Sequence, residues 1–377
     1  MFLDKLKRSP ARGRYIPELD GLRFLAILGV VLYHAHCHFF PAEPIEQWNS
    51  VEPNRWAEYL IGKGYFGVQL FFIISGFIIA IPFARFHLGL RERPVLKNFY
   101  LRRVKRIEIP YFITLTCGYF GLVFVNGATF TEHFWDFIQG LTYTFNLFNP
   151  ERLNPILQPA WTLELEIQFY LLTPLLCLIY KLKQQWLRIG IFLLGMLLIP
   201  ILLDLIHDWS GREAQHVLLG KGFIIRQLPF FFAGMLALDF HLNHTKGKLP
   251  QLWDALGVFS ALATWHMLSY YQVSDYLPFS LGLFVLGVVK GSWLKSLLSL
   301  RFLTIFGGMS YSIYLFHGMI LHFIVLLLSV DQSQLSDTWS LIGIGLTTIV
   351  IFILCIPFYL LIEKPFMRKP PSEKTNR

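Results

Sequence analysis

Ten apolar stretches recur along this 377-residue chain, around residues 22–40, 64–84, 107–126, 166–180, 187–206, 223–240, 253–270, 276–290, 303–329 and 339–362. Most reach the roughly 17–25 residues that a helix needs to cross a bilayer. The spacing predicts an all-α integral membrane protein, a bundle of about ten transmembrane helices. Composition agrees, since charged residues make up only 15% of the chain, against about 25% in a soluble protein.

Charge placement orients the bundle. If the chain starts inside, the cytoplasmic segments are 1–23, 85–106, 181–188, 239–254, 290–301 and 363–377, and they hold 27 of the 33 Lys and Arg residues. Cytoplasmic loops are where such an excess belongs, so both termini are predicted to be cytoplasmic. The net charge of +9 follows from that topology and requires no nucleic-acid partner. Cys37, Cys117, Cys177 and Cys355 fall within or at the ends of apolar stretches, where a free thiol behaves as a small hydrophobe. With no internal repeat or linker, residues 1–377 are expected to form one transmembrane domain with a short polar tail over 363–377.

Four segments carry groups that lipid does not tolerate without a reason. Arg23 and His34 are eleven residues apart in the first stretch. Eleven helical steps make about three turns, so both fall on one stripe about 16 Å apart. An ionisable group inside a membrane helix is costly and normally faces a cavity or a partner. A snorkelling arginine and a histidine satisfied by a neighbouring helix would also fit. In the second segment, from Asn98 to Tyr111, Arg102 and Arg106 share a helix face. Guanidinium forks suit phosphate and can stack on a ring such as adenine, so a phosphorylated, adenine-bearing donor would use them. An anchor for lipid headgroups fits equally.

The third segment, Gln158 to Tyr170, places Glu164, Glu166 and Gln168 at the start of a helix. Glu166 could orient a histidine, take a proton or bind sugar hydroxyls, whereas Glu164 suits a helix-start acid. The fourth, Gly307 to His317, sets Ser310, Tyr314 and His317 at i, i+4 and i+7, a polar face that must meet partners within the bundle. His34, His36 and His38 are close in sequence, but no third convergent ligand is evident, so no metal is expected.

These motifs, taken in order, resemble the membrane-bound acyltransferase family 3. They are Asp20-Gly21 followed by Arg23 and His34, Phe71-Phe72-Ile73-Ile74-Ser75-Gly76-Phe77, Arg102 to Pro110, Trp161 to Gln168, Ser310 to His317, and Ile362-Glu363-Lys364-Pro365. The chain departs from the family at Ile167, which replaces the second acid of a usual Glu-Glu pair and leaves Glu166 alone. The resemblance implies an O-acyltransferase of the bacterial inner membrane that acylates exported sugars, as in O-antigen or exopolysaccharide O-acetylation. No tightly bound cofactor is implied. Acyl-CoA, commonly acetyl-CoA, would be the donor co-substrate, and a glycan or lipid-linked sugar the acceptor. Arg23, Arg102, Arg103 and Arg106 would hold the donor phosphates. His34 would be the general base, with Glu166 beside it. Trp161, Ser310, Tyr311, Tyr314 and His317 would meet substrate. An appended SGNH esterase-like domain, carried by some members, is not expected. A transporter of a sugar or lipid-linked intermediate is the alternative, although the broken inverted repeats that would mark one are not evident.

Overall fold

The computed structural model describes residue 6 and residues 15–39, 61–150, 152–218, 223–243, 249–268, 275–328 and 337–367. Among them there is no strand. In chain order the helices are α1 (Pro17–Phe39), a 3₁₀ turn (Lys63–Tyr65), α2 (Phe66–His87), α3 (Leu96–Phe124), α4 (Phe134–Leu141), α5 (Phe145–Phe148) and α6 (Ala160–Leu176). There follow α7 (Gln185–Leu218), α8 (Ile224–Asn243), α9 (Pro250–Met267), α10 (Leu277–Lys290), α11 (Trp293–Leu298), α12 (Arg301–Gly308), α13 (Ser310–Leu328), α14 (Asp337–Phe358) and α15 (Lys364–Met367).

Each of the ten expected stretches is helical where it is described, and among the described residues seven helices are long and apolar enough to cross a membrane. These are α1, α2 with the turn before it, α3, α6 running on to Lys181, the first part of α7, α13, and α14 running on to Met367. The other three are α8, α9 and α10. α8 carries Arg226 and Asp239, α9 carries Asp254, and α10 is only 14 residues long. The stretch expected as one helix over 303–329 is two, because the chain breaks at Met309 between α12 and α13. The expected polar tail begins with further helix over 364–367, and the remainder lies outside the described residues.

The apolar surface is turned outward, as lipid requires. On α7 Leu194, Leu202 and Leu205 are more than half exposed, as are Ile349 and Ile353 on α14. Inside, α1, α2 and α8 form the centre, and close backbone approach fixes them. A Cβ at Gly234 would lie 1.9 Å from the Ile73 carbonyl oxygen, and one at Gly76 would lie 2.2 Å from that of Phe231. Glycine at both positions lets α2 and α8 touch backbone to backbone, the usual device where helices cross tightly in lipid. Phe231 then stacks on Phe169 of α6 with centroids 4.0 Å apart.

Two prolines coincide with changes of helix type. Past Pro174 in α6 the chain tightens into a 3₁₀ turn over Cys177–Lys181, and past Pro357 it widens into a π turn over Tyr359–Glu363. The π turn brings Glu363, fully buried, to the start of α13. There its carboxylate accepts from the Ser312 hydroxyl at 2.5 Å and the Ser312 N–H at 3.1 Å.

The connection between α3 and α6 folds back along α3 instead of standing clear of it. Tyr111 donates to the Gly140 carbonyl at 3.0 Å, and Tyr111 lies about 20 Å of helix rise from Phe124. Asn146 fastens the far side of the connection. Its N–H donates to Glu164 at 2.9 Å and its side chain to the Trp161 carbonyl at 3.5 Å. Glu164 therefore binds the connection, in place of the helix-start role its position suggested.

Candidate active site

His34 lies in the last third of α1, and the fold brings His317 of α13 against it. The two rings are tilted with centroids 4.9 Å apart, and His317 Nε2 is 3.1 Å from His34 Nδ1. The hydrogen-bond partners assign the protons. His317 Nδ1 faces the carbonyls of Tyr314 at 2.7 Å and Ile313 at 3.2 Å. Carbonyls only accept, so Nδ1 carries the hydrogen and Nε2 of neutral His317 carries a lone pair. His34 Nδ1 faces that lone pair and the Val30 carbonyl at 2.9 Å, so it too is protonated. The Nε2 of His34 is left as the basic nitrogen. His317 is fully buried and His34 partly so.

The Tyr314 ring lies beside His317, with centroids 5.8 Å apart, and the hydroxyls of α13 tie this helix to its neighbours. Tyr314 meets Thr162 at 2.7 Å and donates to the Pro159 carbonyl at 3.0 Å, which ties α13 to the start of α6. Tyr311, one turn earlier, donates to the Ile107 carbonyl of α3 at 2.8 Å. Ser310 is buried at the helix start. Trp161 packs edge-on to Phe72 of α2 at 6.4 Å.

Glu166 belongs to a neighbouring set. It accepts from Tyr170 at 2.6 Å and from Ser75 of α2 at 3.2 Å. His34 is thus partnered by His317, and Glu166 by Ser75 and Tyr170. Of the basic cluster on α3, Arg103 turns inward. Its guanidinium lies 3.8 Å from the Phe99 ring centroid and 5.3 Å from that of Tyr170, and it donates to the Phe99 carbonyl. Arg102 is exposed and Arg106 partly exposed. Arg23 pairs with Asp20 one turn back at 2.7 Å.

Spacing along the chain points to His34 and His317 singly, and their pairing and the contacts of Ser75, Thr162 and Tyr170 emerge only in the fold. Only Tyr170, four residues past Glu166 on the same helix, left a legible signal.

A bundle of membrane-length helices around an interior histidine pair defines a multi-pass membrane protein with an ionisable site at its centre. The chain belongs to the acyltransferase 3 family, whose acyltransferase domain matches residues 16–360. Among its relatives is the O-acetyltransferase OatA of Staphylococcus aureus (strain NCTC 8325 / PS 47), 27% identical over 347 residues, covering 82% of this chain and 51% of that protein. Another, from Staphylococcus aureus (strain COL), is named "Putative O-acetyltransferase SACOL0978" and is 27% identical over 339 residues with the same coverage. The chain spans about half the length of the curated relatives it matches. No solved structure matches it.

Proposed function

We propose that the protein is a membrane-bound O-acyltransferase that moves an acyl group, acetyl by analogy with its relatives' names, from cytoplasmic acyl-CoA to a hydroxyl of an exported or lipid-linked sugar. The observation that carries this reading is the tautomer of His34. With Nδ1–H held by Val30 and His317, Nε2 is available to take a proton. A sugar hydroxyl attacks the thioester carbonyl and gives its proton to Nε2. The C–S bond then breaks, and the departing CoA thiolate takes that proton back. The acyl ester and free CoA balance the step.

As His34 becomes positively charged, the Nδ1–H bond to the His317 lone pair strengthens, because a hydrogen bond with an ionised partner is stronger than a neutral one. The inward Arg103, backed by Arg102 and Arg106, supplies cationic and stacking contacts for a nucleotide-bearing donor. Glu166, held by Tyr170 and Ser75, is available to accept from a hydroxyl of the acceptor. The distribution of basic residues supports cytoplasmic termini, and the bacterial inner membrane is the location that family membership suggests.

The test is His34→Gln in isolated membranes and in cells. Glutamine keeps a hydrogen bond but cannot serve as the base. Free thiol released from acetyl-CoA and O-acyl content of surface glycans, read by mass spectrometry, should both fall by about 10²–10⁴-fold, while CoA still binds. Near-normal acylation by this variant would overturn the assignment. Absence of thioester turnover in the wild type would return the protein to the transport reading.

A further inference from the structure

Tyr143 has a backbone that its residue type disfavours. It stands just past the end of α4 with φ of +55°, the sole non-glycine residue with positive φ among those described. The turn is a Schellman cap. The Tyr143 N–H donates to the Gly140 carbonyl at 3.1 Å, and the Thr144 N–H to that of Gln139 at 3.0 Å. Glycine is the usual residue at this left-handed position, and a bulky side chain there is a genuine outlier. Strain of this kind persists where the surroundings enforce it, and it clusters at functional sites.

The strain delivers the ring into the bundle. Tyr143 stacks on Tyr111 of α3 with centroids 4.9 Å apart and planes at 23°. Its phenol oxygen is buried and makes no well-formed hydrogen bond, although the Glu108 carboxyl of α3 is its neighbour. Glu108 is partly buried within a membrane-length helix and makes no ion pair with any described Lys or Arg. A carboxyl so placed is expensive unless it has a task. The segment that carries Tyr143 is fastened on both sides, by Tyr111 to Gly140 and by Asn146 to Glu164.

A phenol that can donate beside a carboxylate that can accept is what a single alcohol requires, because a hydroxyl is both donor and acceptor. The stacked Tyr111–Tyr143 rings add an apolar wall. We infer that Tyr143 and Glu108 form an acceptor subsite that binds a hydroxyl of the incoming sugar where the α3–α6 connection folds back into the bundle. This rests on the O-acyltransferase reading and adds the residues that hold the acceptor. Tyr143 is a binding residue, separate from the proton-transfer pair, and the strained cap is retained because glycine could not supply the phenol.

The test uses the full-length protein with Tyr143→Phe, Tyr143→Gly and Glu108→Gln. Three measurements are compared with the wild type: O-acyl content of surface glycans by mass spectrometry, CoA affinity of the purified protein, and thermal unfolding in detergent. Loss of one neutral hydrogen bond corresponds to about 2- to 13-fold weaker acceptor binding, so acylation at limiting acceptor should fall roughly that far in Tyr143→Phe. Glu108→Gln should fall as well. CoA affinity should be unaltered. Tyr143→Gly relieves the backbone but also removes the ring stacked on Tyr111, so it should lose at least as much acylation as Tyr143→Phe. Full acylation by Tyr143→Phe refutes the subsite. So does a parallel loss of CoA affinity, which would move Tyr143 to the donor, or a loss accounted for by reduced folded protein. Failure of the wild type to consume acetyl-CoA or acylate any glycan refutes the underlying function instead.

Discussion

Replacing His317 with leucine separates a positioning histidine from a proton-carrying one. The side chain is fully buried, and leucine fills a similar volume without leaving a cavity, so folding should lose less than about 1.5 kcal/mol. Val30 still holds the His34 Nδ1–H at 2.9 Å, which preserves the tautomer. What disappears is the 3.1 Å bond to His317 Nε2. A neutral hydrogen bond contributes about 0.5–1.5 kcal/mol and one with a charged partner about 1.5–3 kcal/mol. The difference, about 1–1.5 kcal/mol, is felt only when His34 becomes charged on the way to the transition state. It corresponds to about a 5- to 13-fold lower kcat, with KM for acetyl-CoA unchanged. Thiol release from acetyl-CoA, with the donor varied at fixed acceptor, measures both constants. A fall of 10²-fold or more would refute the reasoning by making His317 part of proton transfer. An unchanged kcat would refute it in the other direction, leaving the contact without consequence.

Two further outcomes follow from the fold. Glu363→Ala removes both bonds to Ser312 and orphans a buried N–H, so stability should drop by about 3 kcal/mol, read as a lower melting temperature in detergent. Glu363→Gln, which keeps an acceptor, should recover part of the loss, and equal melting of Ala variant and wild type would sink the claim. Single cysteines at Thr131 and Glu92, both exposed, should label with an impermeant maleimide from opposite faces of the membrane, Thr131 from outside. Labelling from one face would refute the charge-based topology.

The helices were legible because lipid imposes one simple rule, a long apolar run, and every expected stretch is helical where it is described. The break at Met309 was not, since residues 303–329 are apolar on both sides of it. It arises from tertiary contact, with Gly307 pressed so closely on α1 that a Cβ there would lie 1.7 Å from the Asp20 carbonyl oxygen. Within the site, intrahelical spacing put Arg23 and His34 on one stripe and Glu166 near Tyr170. The partner of His34 lies 283 residues away, a pairing that no periodicity encodes. Spacing puts Arg102 and Arg106 on one face, while the packing of α3 against α6 turns Arg103 inward onto Phe99 and Tyr170. The folded-back connection was invisible for a related reason. Residues 127–159 mix polar and aromatic residues as any surface loop does, and only contacts with Tyr111 and Glu164 reveal their depth.

Arg188 and Asp239 meet at 2.7 Å with exposures of 2% and 0%, and Arg188 also donates to the Leu182 carbonyl at 2.6 Å. One charge stands near the start of α7 and the other near the end of α8, so the pair exists only once both helices have been made. Until then Arg188, at the first turn of α7, has no carboxylate of α8 to meet and is left with the Leu182 and Lys183 carbonyls. The pair therefore fastens the start of α7 to the end of α8 once both helices are in place. A lesion at either residue would leave its partner a buried charge without a counter-charge, a loss of about 3–5 kcal/mol that would surface first as loosening of α7 from α8.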